Sequence, residues 1–168
     1  YDDLSCIRYS SLTEESWGIE EAKEAMKEGR IKYAGKYSAP DYEQLLSGGC
    51  GLAVENTMIF HSPEIKEQLE ALGIPVMIDY SSYETHPLGR VEWVKLYGAL
   101  LAREEEAEAI FEEQEEILKR VTEEISAQAE PSTVAFFYIN ASGGVNVRRP
   151  TDYVPEMIAL AGGSYIPE

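Results

Sequence analysis

Apolar residues along this chain fall into two alternating rhythms, short continuous runs that suit a buried strand and three- to four-residue spacings that suit one face of a helix. Residues 12–28 carry the helical rhythm. Ser11 and Glu14 stand in S-x-x-E capping-box spacing, with Thr13 as the alternative cap, and Glu14 and Glu15 suit the positive end of the helix dipole. Gly29 stops that helix. Residues 31–34 are a predicted strand. After Gly35, the Ser38-Ala39-Pro40-Asp41 stretch opens a short helix through Leu46, with Pro40 in its first turn and Gly48-Gly49 at its end. Residues 50–54 form an apolar run of buried-strand type, followed by polar Glu55-Asn56-Thr57. Residues 63–72 are a helix closed by Gly73, and residues 74–78 a second buried strand ending at Asp79, with Pro75 arguing against a central place for its first residues. Strand alternating with helix argues a parallel α/β sheet.

The rhythm then changes. Pro87 starts a helix with apolar Leu88, Val91, Val94 and Leu101, broken near Ala102-Arg103. From Glu104 to about Gln128, Ala107, Ile110, Phe111, Ile117, Leu118, Val121 and Ile125 recur mostly at helical steps between glutamates. Such a helix spans about 37 Å, more than one small lobe requires and enough to bridge two. Glu115 with Lys119 and Glu116 with Arg120 have ion-pair spacing on its solvated face. Beyond Pro131, residues 133–139 are predicted as one more buried strand, Gly143-Gly144 as a two-residue hairpin turn, and the next helix ends in Ala161-Gly162-Gly163.

Charge narrows the function classes. Thirty-one acidic against fourteen basic residues give a net charge of −17 in 168 residues, which repels nucleic acid and anionic membrane surfaces. Cys6 and Cys50 lack CxxC spacing and read as small buried thiols, and His61 and His86 have no third ligand at useful spacing, so no metal site and no cofactor is expected. No run of eighteen apolar residues and no signal-peptide pattern appears.

Taken together, KYSAPDYEQLL, GLAVENTMIFHSPEIKEQLEALGIPVMIDYSSYETHPLGRVEWVKLYGALL, the acidic helix and TVAFFYINASGGVNVRRPTDYVPEMIALAGGSYI resemble the iron-siderophore, haem and cobalamin class of ABC-transporter substrate-binding proteins over nearly the whole chain. The matching words are Ala39-Pro40-Asp41, Gly73-Ile74-Pro75-Val76, the run from Leu96 to Leu101, and Leu160-Ala161-Gly162-Gly163, in the family's order. The resemblance implies an α/β fold of two doubly wound parallel-sheet lobes joined by a long α-helix, both lobes incomplete in this chain. Residues 1–86 would be the rear of the N-terminal lobe, 87–130 a helical segment with the interlobe helix, and 131–168 the start of the C-terminal lobe. Family members carry further elements before the part matching Tyr1 and after Gly163, so an internal piece is expected, its open sheet edges covered by a dimer partner or by domain exchange. The implied role involves no chemistry. An iron-siderophore, haem or cobalamin-type ligand is captured between the lobes and delivered to an ABC permease, on the periplasmic or extracellular face of a bacterial membrane, with lipid anchoring through a segment outside this chain. Acidic residues at the lobe tips would dock on the permease.

Ligands of open α/β sheets bind outside the carboxyl ends of strands. That rule nominates Glu55, Asn56, Thr57 and Met58 after one predicted strand, and Tyr80, Tyr83, Glu84 and His86 after the next. After the third come Asn140 and, past the turn, Arg148, Arg149 and Tyr153. Aromatic faces and guanidinium groups suit a large, partly aromatic, anionic chelate. Arg148-Arg149 also read as an ion pair with Asp152, and Arg90 as a structural partner of Glu84 or Asp79. The alternative function is a metal-assisted hydrolase or chelatase-like enzyme on the same scaffold, using Glu55, Asp79, Glu84 and His86. No nucleophile elbow, P-loop or HExxH pattern supports it. An acidic interaction module working through the long helix is a third reading.

Overall fold

The computed structural model describes residues 7–126 and 130–166. Cys6 and the predicted helix end at Gln128 lie outside them. The chain divides into two compact units, Tyr1–Tyr80 and Ser81–Glu168.

The first unit runs β1 (Tyr9–Ser10), α1 (Glu20–Lys27), β2 (Lys32–Tyr33), β3 (Gly35–Lys36), β4 (Ala39–Pro40), α2 (Tyr42–Ser47), β5 (Ala53–Asn56), α3 (Pro63–Ala71) and β6 (Val76–Asp79). β1 pairs in parallel with β2, and β5 with β6, as alternation of strand and helix requires, while β3 and β4 form a small antiparallel hairpin. Ala34, Leu45, Leu69 and Ile74 make the core, joined by Tyr9, Tyr42, Cys50, Ala53, Ile65 and Val76. Cys50 is therefore only half-buried, against the expectation of a buried thiol.

Four element boundaries move for identifiable reasons. Instead of one helix over 12–28, a 3₁₀ turn at Glu14–Ser16 is separated from α1 by extended Trp17 and Ile19. Gly18 lies at that break, where an uninterrupted helix would have cost about 1 kcal/mol. The Ser11 capping box does not form. Pro40 is not in the first turn of α2 but in β4, because Asp41 takes the cap, its carboxylate accepting from the Gln44 N–H at 2.9 Å. Both buried strands begin late. The N–H groups of Cys50 and Ile74 are spent closing α2 and α3, on the carbonyls of Leu45 and Leu69, and Pro75 has no N–H to give. The ladder accordingly runs on through Glu55-Asn56 and Ile78-Asp79, which makes Glu55, Asn56 and Asp79 strand residues, not residues after a strand.

The second unit contains α4 (Pro87–Leu100), α5 (Glu104–Ser126), β7 (Ser132–Ala135), β8 (Phe137–Ile139), β9 (Val145–Val147), α6 (Tyr153–Leu160) and β10 (Gly163–Ile166). α4 packs on α5 where Gly98 meets Ala107, the two buried small residues of the pair. A Cβ on Gly98 would lie 2.4 Å from the Ala107 Cβ. Ala102, at φ 53°, turns the chain between the helices, at the predicted break. Lys95 reaches across to Glu108 at 2.9 Å and sits 3.8 Å above the Phe111 ring. The pairs predicted along α5, Glu115 with Lys119 and Glu116 with Arg120, do not form; Arg103 pairs with Glu106 instead.

Residues 133–139 are two strands, not one. β7 pairs in parallel with β10, an element the sequence did not predict, whereas β8 pairs antiparallel with β9, so the chain changes partners at Phe136. Nor is the segment buried: Phe136, Phe137 and Ile139 are 45%, 55% and 65% exposed. The hairpin closes through Asn140 and Gly144 around a three-residue loop with Gly143 at φ 82°, rather than through a two-residue Gly-Gly turn. The Ala161-Gly162-Gly163 word has a packing cause. Gly162 takes φ 75° to end α6, and a Cβ there would come within 2.3 Å of the Ile125 side chain on α5.

Candidate functional site

In the first unit, parallel pairing sets Glu55 beside Ile78 and Asn56 beside Asp79 at the carboxyl ends of β5 and β6. Asn56 is occupied locally. Its side-chain oxygen accepts from the Met58 N–H at 2.8 Å and caps the 3₁₀ turn Thr57–His61, which leaves the Met58 side chain exposed. That turn carries Phe60, whose ring lies 6.2 Å from the Tyr80 ring at 42°, forming a solvent-facing aromatic pair.

Glu55 differs from its neighbours. It is half-buried, accepts no hydrogen bond and makes no ion pair among the described residues, and burial pushes its carboxyl above the usual carboxylate range. It borders a pocket of about 120 Å³ where β1, β2 and β5 end, with Tyr9, Ser10, Lys36, Tyr37 and Cys50 among the other walls. None of those five is among the ligand residues that the strand-end rule nominates from the sequence. The signal was present, since residues 31–34 read as a strand and the strand-end rule applied there would have pointed to Lys36 and Tyr37.

In the second unit, the 3₁₀ turn Ser81–Tyr83 leads into α4. His86 caps that helix, its ring Nδ1 accepting from the Leu88 N–H at 3.2 Å. The Glu84 carboxylate accepts from the Trp93 indole at 3.3 Å. Arg90 meets Glu84 through its backbone and not through its carboxylate. Its guanidinium donates to the backbone carbonyls of Glu84 and Ser82, each at 2.9 Å, and lies 3.6 Å from the centroid of the Tyr153 ring. Glu84, His86 and Tyr153 thus have structural partners. The Tyr83 side chain is 67% exposed.

Asn140 shapes the β8–β9 loop, its side-chain oxygen accepting from the N–H groups of Ser142 and Gly144 and from the Ser142 hydroxyl. Beyond the hairpin, Arg148 pairs with Asp152 at 3.4 Å, and Asp152 caps α6. The Tyr165 hydroxyl accepts from the Arg148 N–H at 3.0 Å and faces the carbonyls of Arg148 and Phe136 at 3.1 and 3.4 Å. Val147, Arg148, Arg149, Thr151 and Asp152 line an open depression of about 440 Å³. The Arg149 guanidinium has no ion-pair partner among the described residues. This arrangement can accept an anionic group on Arg149, with Arg148 held to one side by Asp152. Among the described residues no three His, Cys, Asp or Glu side chains are grouped to hold a metal ion.

No family model matches the chain. It is 29% identical over 156 residues to an uncharacterised lipoprotein of Methanocaldococcus jannaschii, an alignment covering 89% of this chain and 36% of that protein. Among solved structures it is similar to a possible iron-binding (periplasmic solute-binding) protein from Staphylococcus epidermidis, with TM-score 0.64, 14% identity, and coverage of 84% of this chain and 53% of that one. A periplasmic haem-binding protein from Pseudomonas aeruginosa matches with TM-score 0.60, 21% identity, and coverage of 84% and 50%. A periplasmic vitamin B12-binding protein from Vibrio cholerae matches with TM-score 0.55, 13% identity, and coverage of 88% and 55%. The chain therefore has the mixed α/β fold of ABC-transporter substrate-binding proteins, and spans about half the length of the structures it matches and about a third of the curated relative.

Proposed function

We propose that this chain is part of the solute-binding component of an ABC importer, a protein that holds an iron chelate, haem or corrinoid and passes it to a membrane permease without a chemical step. The carrying observation is the unpaired Arg149 in an open depression beside the β8–β9 hairpin, at the strand-end position where this fold takes its ligands. A guanidinium with no protein partner suits the carboxylate or phosphate edge of a large ligand. In the first unit, the exposed Phe60–Tyr80 pair offers apolar ring faces to a macrocycle or chelate. In this reading Glu55, Thr57, Met58, Tyr80, Tyr83, Arg148 and Arg149 contact ligand, while Asn56, Glu84, His86, Asn140 and Tyr153 shape the loops that carry them. Residues 1–86 and 131–168 supply the two sets of contacts and 87–130 the helical segment.

The lipoprotein relative and the periplasmic structural neighbours support a site of action outside the cytoplasmic membrane, with lipid anchoring. No helix of the described residues is long and apolar enough to cross a membrane. The enzyme alternative loses two of its four residues to local roles, since Glu84 holds Trp93 and His86 caps α4. Equilibrium titration of the wild type and of Arg149→Ala with haem tests the reading. Weaker haem binding by the variant supports it, and equal affinity removes Arg149 from the site.

A further inference from the structure

The pocket at the ends of β1, β2 and β5 is too small for a chelated metal centre. At about 120 Å³ it falls well below the ~300–1,000 Å³ typical of whole-ligand sites, so it suits a side group of a ligand. Among the described residues Glu55 is the one acidic group lining it and Lys36 the one basic group, yet the two make no ion pair, and the Lys36 side chain is exposed. Tyr9, Tyr37 and Cys50 are the other titratable groups there. The Ser10 hydroxyl is engaged by the Leu12 N–H at 2.9 Å, and the hydroxyl end of Tyr9 lies against Gly48. What remains is a carboxylate partly withdrawn from water with no hydrogen-bond or ion-pair partner among the described residues. Such a group costs free energy that a cation entering the pocket would offset.

Resting on the chelate-binding reading above, we propose that this pocket is a subsite for a primary ammonium group carried by the bound chelate, with Glu55 as its counter-ion and Tyr37 as an aromatic wall. An ammonium is compact, carries three donors, and is attracted by both a carboxylate and a ring face. This selects within the ligand class. It favours a ferric chelate with a free amine at its periphery over haem, whose peripheral charges are carboxylates.

The test compares two probes that differ only in that amine, the ferric complex of desferrioxamine B and its N-acetylated derivative, titrated into the wild-type protein by fluorescence quenching. The wild type is expected to bind the amine form about tenfold more tightly, the worth of one partly exposed charge pair. Glu55→Gln removes that preference, so that the variant binds the two complexes with equal affinity, and a preference that survives the substitution overturns the subsite. Equal wild-type affinity for the two complexes overturns the subsite and leaves the chelate-binding reading standing. So does binding of haem or cobalamin with neither hydroxamate bound. Failure of all four ligands to bind overturns both.

Discussion

The Arg90 guanidinium stacks 3.6 Å from the centroid of the Tyr153 ring while donating to the carbonyls of Ser82 and Glu84. One side chain of α4 thereby ties the start of α6 to the loop that carries Tyr83. A lysine keeps the charge but not the planar fork, so Arg90→Lys should lower stability by about 1–2 kcal/mol. Hydrogen exchange should quicken at residues 82–86 and at the first turn of α6. Unchanged exchange at both places would mean the contact holds nothing.

Glu55 predicts a pH dependence of definite sign. Its folded-state carboxyl is raised by burial, so the folded protein binds its proton more tightly than the unfolded chain does. The charged form therefore costs stability above the folded-state value, the cost develops as pH rises from the ordinary carboxylate range, and it is absent below that range. Glu55→Gln should raise the Tm at pH 7 and leave it unchanged near pH 3.5. A gain that persists undiminished at the acid end would place the effect elsewhere than in titration.

Ala102 turns the chain at φ 53°, a region where an L-residue pays about 1–2 kcal/mol. Glycine removes that cost but adds freedom to the unfolded chain, so Ala102→Gly should stabilise by about 0.5–1 kcal/mol in denaturant unfolding. Gly98→Val should do the reverse and more strongly, because a Cβ there already meets Ala107 at 2.4 Å.

Tyr165 joins β10 to the base of the β8–β9 hairpin through its hydroxyl. Tyr165→Phe keeps the ring and should cost about 1 kcal/mol. It should also weaken haem binding, because the hydroxyl holds the backbone of Arg148, next to Arg149. Lost stability with unchanged haem affinity would separate the hairpin base from the ligand site.

Much of the architecture was legible before the structure because the signals were local. The glycines after α1, α2 and α3, the proline opening α4 and the break at Ala102-Arg103 each mark a boundary by backbone chemistry that neighbours cannot override. The segment 133–139 misled because an apolar run says nothing about which strand it pairs with. Its change of partner at Phe136 depends on Tyr165, twenty-nine residues away. β10 was hidden for the same reason, since its pairing with β7 is long-range. Of the nominated site residues, Asn56, Glu84, His86 and Asn140 have local hydrogen-bond roles that their side-chain chemistry permits, as Asx caps, a carboxylate acceptor and a ring-nitrogen cap. Neither charge nor spacing separated those roles from ligand contact. The pocket around Glu55 went unread because it is assembled from the ends of three strands, two of them only two residues long.

Absorption titration of the purified protein with haem, cyanocobalamin and a panel of ferric siderophores tests the central claim most directly. Saturable one-to-one binding of at least one of these coloured ligands is expected, weakened by Arg149→Ala. Saturable binding of none of them by the intact protein would contradict it.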